Sequence, residues 1–200
     1  AEGPVHLDVV WKRPLGSGYS GVVKSGDRLV SAMADAKSDT EFLIAMDDTT
    51  GATLWQTATG KMMKGVNGSF DGPIATPAVD KVRVYHVSPM GDVIACSLAD
   101  GGVMWTRHLP TDFSAVANVY GFGGSPTVCD GVLIFVVGSP APTVIGLDAA
   151  TGATIWTVGT DTAAFQSPVE LEVAGQRRIL VAGNTTLFLI EPRTGNVVWS

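Results

Sequence analysis

The 200-residue chain has little cysteine, little charge and no long apolar run. Its two cysteines, Cys96 and Cys129, stand 33 positions apart, which is neither a disulfide framework nor a metal-ligand spacing. They read as two buried thiols. The longest candidate membrane segment, "GVLIFVVG" (131–138), is strand-length, well short of the ~18–20 residues that a spanning helix needs. Only 16% of residues are charged, and a formal charge of −6 argues against nucleic acid or an anionic membrane as partner. His6, His86 and His108 are scattered without ligand spacing and read as structural or surface residues. No G-x-S-x-G nucleophile elbow is present. "GFGGS" (121–125) precedes a strand rather than a helix, so it lacks the helix N-terminus that would hold a phosphate. Its glycines read as points of close backbone approach. The chain opens on Ala1 with no charged-then-apolar leader, as expected of a processed chain or an excised piece.

Glycine and proline, by contrast, are plentiful, at 24 and 11 residues beside 46% hydrophobic residues. Such a composition predicts many turns between short elements around one sizeable core. The tryptophans supply the period. Trp11, Trp55, Trp105, Trp156 and Trp199 are separated by 44, 50, 51 and 43 residues. The phrase "AMDDTTGATLW" (45–55) returns as "CSLADGGVMW" (96–105), "GLDAATGATIW" (146–156) and "IEPRTGNVVW" (190–199). A period of ~40–50 residues built from strand signals alone is the signature of propeller blades, one four-stranded antiparallel sheet per period.

Each recurring residue has a physical role. Gly51, Gly101, Gly152 and Gly195 fall where a short hairpin needs a positive φ. Asp47, Asp148 and Glu191 precede them by four positions, where a carboxylate can accept hydrogen bonds from turn amides; Ser97 holds that place in the second copy. The tryptophans fall on each blade's outer strand and are expected to bury their faces between blades. A second column, Gly21, Pro77, Pro126 and Pro168, marks the innermost strand, an edge where a missing N–H is tolerated. The expected fold is all-β, a single partial propeller over 1–200 with blades at about 18–57, 72–107, 122–158 and 164–200. Ahead of them "VVWKRPL" (9–15) is expected to be a leading outer strand.

This pattern resembles the PQQ-like propeller repeat, "A-x-D-x-x-T-G-x-x-x-W", of quinoprotein alcohol dehydrogenases. The same repeat builds the propeller lipoprotein of the bacterial outer-membrane β-barrel assembly machinery. The resemblance runs from about Val10 to Trp199. It implies seven or eight blades in a full ring, so this chain is expected to supply about half. A C-terminal half or a second copy would complete it. It also implies an extracytoplasmic location.

Function is expected on the face that carries the interblade connections, two of which are long: 57–73 and 108–124. The first offers Lys61, Met62, Met63, Lys64, Asn67, Phe70 and Asp71, and the second Asp112, Phe113, Asn118, Tyr120 and Phe122. Exposed methionine and aromatics among polar groups suit adaptable contact with a protein or small ligand. The competing structural reading packs Phe70, Tyr120 and Phe122 under their own loops and makes Asp71 a turn residue. "ADAKSDTE" (34–41) reads as a solvated loop, and Glu170 and Glu172 as solvent-facing strand positions.

A quinoprotein dehydrogenase, as the resemblance describes it, holds its quinone between a Trp floor and a disulfide of adjacent cysteines, beside Ca²⁺. No two cysteines are adjacent here, and the blade motif absorbs all five tryptophans. The expectation is therefore a non-catalytic binding scaffold without cofactor. A PQQ- and calcium-dependent alcohol or sugar dehydrogenase and a carbohydrate-binding propeller are the alternatives.

Overall fold

The computed structural model describes residues 8–66, 71–138 and 140–200. Blade 1 comprises β1 (Val23–Ser25), β2 (Arg28–Asp35), β3 (Thr40–Asp47) and β4 (Thr53–Lys61). Blade 2 comprises β5 (Ala78–Val79), β6 (Arg83–Val87), β7 (Asp92–Ser97) and β8 (Val103–His108), followed by a short helix, α1 (Leu109–Phe113). Blade 3 comprises β9 (Thr127–Cys129), β10 (Val132–Val136), β11 (Val144–Asp148) and β12 (Thr154–Val158). Blade 4 comprises β13 (Val169–Val173), β14 (Gln176–Ala182), β15 (Leu187–Ile190) and β16 (Val197–Trp199). Every sheet is a four-stranded antiparallel meander in chain order. Together they form a partial propeller.

The second strand of blade 3 is apolar on both faces because that blade is sandwiched between blades 2 and 4. In β10, Leu133 and Phe135 join a core with Tyr85, Val87 and Val93 of blade 2. Val132, Ile134 and Val136 point the other way, to Ile179, Val181 and Phe188 of blade 4. Burying each such side chain stabilises by roughly 1.5–3 kcal/mol. At the narrow end the innermost strands follow one another, β1 beside β5, β5 beside β9 and β9 beside β13. Small polar side chains link them: Gly21 N–H donates to Thr76 Oγ1 (3.0 Å), Thr76 N–H to Ser125 Oγ (2.9 Å) and Ser125 N–H to Ser167 Oγ (2.9 Å). A Cβ on Gly124 would lie 2.4 Å from the Gln166 carbonyl oxygen, so "GFGGS" is indeed a point of close backbone approach. Pro77, Pro126 and Pro168 sit one residue before β5, β9 and β13, just outside the ladders they were expected to join.

The turn chemistry follows from the motif. Asp47 Oδ1 accepts from Thr50 N–H (2.7 Å), Thr50 Oγ1–H (2.7 Å) and Thr49 N–H (3.1 Å); Asp148 repeats this with Thr151 and Ala150. These donors hold both carboxyls below the usual carboxylate range. Opposite each tryptophan the ladder breaks register, at Ala45, Ala95, Gly146 and Leu189. Ala45, Ala95 and Gly146, small where blade 4 has Leu189, leave room for the indole: a Cβ on Gly146 would lie 2.3 Å from Trp156 Cε2.

Each tryptophan then docks on the next blade. Trp55 Nε1–H donates to Leu98 O (3.0 Å), Trp105 to Ala149 O (3.1 Å) and Trp156 to Pro192 O (2.9 Å). Their rings lie on Gly101, Gly152 and Gly195, where a Cβ would come within 2.7 Å of the indole. Glycine is therefore required twice over, by positive φ and by contact. Trp11 docks on blade 1 in the same way, Nε1–H to Asp48 O (2.9 Å) with Gly51 under the ring.

Three expectations need correction. The segment 9–15 forms no strand, since the blade whose outer strand it would be has no inner strands among the described residues to pair with it. Lys61 ends β4 instead of lying in a connection, and α1 occupies part of the expected 108–124 loop, with Pro110 near its start. The "ADAKSDTE" stretch is not a solvated loop throughout, because β3 begins at Thr40 and carries Glu41 inward to full burial.

Candidate functional site

The alternation of the meander puts the interblade connections and the β2–β3, β6–β7, β10–β11 and β14–β15 links on one face. The tight glycine turns lie on the other. After β4, the first connection is tied to the β2–β3 link: Met62 N–H donates to Asp39 O (3.0 Å) and Met63 N–H to Glu41 Oε1 (3.2 Å). Lys61 and Lys64 are exposed and both approach Asp39, at 3.7 and 3.6 Å. Asp71 serves as a turn acceptor, its Oδ1 taking Gly65 N–H at 2.8 Å. Asn67 and Phe70 lie outside the described residues.

The second connection begins with α1. Asp112 Oδ2 accepts from Arg107 Nε–H and from His108 N–H (3.2 Å), and the Arg107 guanidinium sits 5.2 Å from the Phe113 ring centroid. Asn118 Oδ1 accepts from Tyr120 N–H (2.9 Å), shaping the turn into Gly121. Two residues expected on the exposed face point inward instead. Phe122 is buried with Tyr85 and Leu133, and Met62 is buried beside Ser17, because each apolar side chain fills space under its own connection. Phe113 is partly buried against the same core.

What stays on the surface is an apolar strip contributed by successive connections. Tyr120 stacks on Phe165 at 6.2 Å with the rings tilted by 39°. Phe165 belongs to the connection between blades 3 and 4 and was not foreseen; a Cβ on Gly123 would meet its ring at 2.5 Å. Met63 lies against Gly121, where an added Cβ would be 2.7 Å from its Sδ. Val116 and Val119 are about two-thirds exposed, at 66% and 64%, and Val66 and Met90 are exposed as well.

Glu41 is the second residue that sequence reasoning missed. It is completely buried at the loop-rich end of the blade 1–2 interface, with Oε1 on the Met63 amide and Oε2 unpartnered. Burial, reinforced by the nearby Asp92 carboxylate, pushes its pKa up to about 7. Asp92 is partly exposed and pairs with His108, Oδ1 to Nδ1 at 2.9 Å. His86, two residues along from Val84 on the same face of β6, is fully buried with neither ring nitrogen partnered, and burial pushes its pKa down to about 4. His108 is a surface residue, as expected; His6 lies outside the described residues.

Among the described residues no group of three or more His, Cys, Asp or Glu could hold a metal ion. Cys96 and Cys129 are free and buried in separate blades, with thiols pushed up to about 11. Four of the five indoles are committed to neighbouring turns. On the opposite face Glu170 is not simply solvated, since Arg177 bridges it (3.5 Å) and Asp130 (3.2 Å).

Blades locked by tryptophan-into-turn contacts, with connections gathered on one face, define a PQQ-like repeat propeller. The chain belongs to the family described as outer membrane protein assembly factor BamB, whose model matches residues 8–119 and 89–200. No curated protein matches its sequence. Among solved structures it is similar to BamB from Moraxella catarrhalis, with 22% identity and a TM-score of 0.61, covering 94% of this chain and 53% of that one. It is also similar to a europium-containing methanol dehydrogenase, with 12% identity and a TM-score of 0.67 over 95% and 44% of the two chains. A third is quinohemoprotein alcohol dehydrogenase from Comamonas testosteroni, with 16% identity and a TM-score of 0.66 over 92% and 34%. The chain thus spans about half the length of BamB or less of these relatives, and at such identities the likeness is one of fold.

Proposed function

We propose that this chain is a non-catalytic, extracytoplasmic binding scaffold that presents its loop-rich face to a protein partner. The observation that carries this reading is the surface strip around the Tyr120–Phe165 pair. Its apolar groups come from three successive interblade connections and the β6–β7 link, all held by rigid blades. Exposed apolar groups gathered on one face mark contact sites, and aromatics and methionine are enriched in them. Family membership supports the same reading, since the family's description is that of an assembly factor. The extracytoplasmic location is an inference from that description.

A photo-crosslinker placed at Val119 is expected to give a discrete protein adduct in cells. Phe165→Asp should abolish that adduct while leaving the circular dichroism spectrum unchanged, and a crosslinker at Val103, beside the turn face, should give none. Turnover of alcohols or sugars on adding pyrroloquinoline quinone, Ca²⁺ and an electron acceptor would refute the scaffold. Saturable glycan binding that is lost in Phe165→Asp would reassign the strip to carbohydrate.

A further inference from the structure

Six places before the polar residue that opens each glycine turn, blades 2, 3 and 4 carry Gly91, Pro142 and Thr185, while blade 1 carries Glu41. The other blades are built without a carboxyl there, so the repeat does not account for this one. β3 turns Glu41 into the blade 1–2 seam, where it is completely buried. Oε1 accepts from Met63 N–H (3.2 Å), and Oε2 has no partner. One residue earlier, Met62 N–H is held by Asp39 O (3.0 Å). These two bonds fasten the start of the connection to the β2–β3 end of blade 1. Beyond them Met63 lies against Gly121, and Val66 is exposed.

The surroundings of Glu41 oppose its charge. Thr59, at the end of β4, brings a buried hydroxyl without a partner. From blade 2, Asp92 adds a like charge, with Oδ1 on His108 Nδ1 (2.9 Å) and Oδ2 near Ser88 Oγ (3.4 Å). His86 enters the same seam, fully buried and neutral above about pH 4. Among the described residues no cation pairs with Glu41, since Lys61 and Lys64 go to Asp39 at 3.7 and 3.6 Å. A carboxylate held here is desolvated and faces a like charge, whereas a neutral carboxyl keeps the Met63 bond without either cost.

We propose that Glu41 is a proton-operated latch on the binding face: neutral, it holds the Met62–Val66 connection in place, and ionised, it leaves the seam and frees that connection. The consequence for partner binding rests on the scaffold reading above, because Met63 and Val66 belong to the surface strip; the latch itself does not. Glu41 ionises at about pH 7 in the closed seam, against 4.5 once released. Opening of the connection therefore rises about tenfold between pH 6 and pH 8 and levels off above that. His86 titrates outside this window and contributes nothing to the change.

Residue-resolved hydrogen exchange on the full chain tests the latch. Corrected for intrinsic rates, protection of the Met62 and Met63 amides should fall about tenfold from pH 6 to pH 8. The Asn184 amide, bonded to Thr162 O at the blade 3–4 connection, should keep its protection. Glu41→Gln retains the acceptor for Met63 and should remove the pH dependence. Should that variant fold poorly, Asp92→Asn takes away the like charge and should move the transition to lower pH. Protection that is equal at both pH values in the wild-type chain, or that falls equally in Glu41→Gln, would overturn the latch. The link to binding is read from the Val119 photo-adduct in a cell extract buffered at pH 6 or pH 8. Its yield should drop at pH 8 in the wild-type chain and hold in Glu41→Gln. A yield indifferent to pH while protection changes would overturn the link, whereas an adduct missing at both pH values would sink the scaffold reading and leave the exchange result standing.

Discussion

Replacing Glu41 with glutamine is expected to stabilise the protein, and only on the alkaline side. Glu41 is fully buried, with one oxygen on the Met63 amide and the other unpartnered. The groups around it do not favour its charge: Asp92 faces it across the interface, the Thr59 hydroxyl is unpartnered, and His108 is already bonded to Asp92. Burial outweighs the single amide hydrogen bond and raises the pKa from 4.5 to about 7. The native state therefore holds a proton that the unfolded state releases above pH 4.5. Stability from this group is full below that pH, falls as pH rises to about 7, and is flat beyond. At ~1.36 kcal/mol per pH unit the loss is about 3 kcal/mol. Glutamine keeps the acceptor for Met63 and cannot ionise. Urea or thermal melts of both proteins from pH 4 to 9 should give curves that agree at pH 4 and separate by about 2–3 kcal/mol at pH 8, a Tm gain of roughly 5–10 °C for a chain of this size. A difference independent of pH, or a variant less stable at pH 8, would show that Glu41 is a satisfied carboxylate and refute the reasoning.

His86 should act in the opposite direction. It is buried neutral, with its pKa lowered from 6.5 to about 4, so its contribution is intact above pH 6.5 and lost as pH falls toward 4. His86→Leu should remove an acid-side loss of about 2–3 kcal/mol, and equal acid sensitivity of variant and wild type in the same melts would contradict this. Gly152→Ala should cost at least about 2 kcal/mol, because a left-handed φ is combined with a Cβ 2.7 Å from the Trp105 ring. Gly175→Ala has nearly the same φ with nothing within 4 Å, and should cost only about 1 kcal/mol. Equal losses in chemical denaturation would remove the docking contribution.

The blade architecture was legible because its signals are local and repeated. A turn glycine, a polar acceptor four places before it (Asp47, Ser97, Asp148 or Glu191) and a tryptophan four places after it make one short-range device, and four copies in register leave little choice of fold. What the device connects was harder to read. The indole's partner lies 36 to 44 residues away, and only the geometry shows that it is the next turn rather than its own blade. The site was legible in part. Tyr120 was visible as an aromatic in a long connection, but its stacking partner Phe165 comes from the following connection, and no local pattern links them. Met62 and Phe122 looked the same as surface residues in composition; their inward direction depends on how each connection folds back on its blade.

Glu41 was misread because charge and turn residues surround it, whereas the structure starts a strand one residue earlier and turns its side chain inward. That misreading points to the weakest joint in the arc. Repeats that touch only their neighbours gain stability one interface at a time, and the least favourable interface opens first. Blade interfaces 2–3 and 3–4 are filled mainly by aliphatic and aromatic side chains. The blade 1–2 interface has its own apolar cluster, but at its loop-rich end it also holds Glu41, Thr59 and His86 with buried polar atoms lacking partners. Such atoms each cost about 1–3 kcal/mol. Opening there would loosen the Met62–Val66 connection, which depends on Asp39 and Glu41 for its amide bonds and carries Met63 and Val66 to the proposed binding strip. The blade 1–2 interface, with Glu41, Thr59 and His86 holding unpartnered buried polar atoms at its loop-rich end, is thus mechanically tied to the proposed binding face.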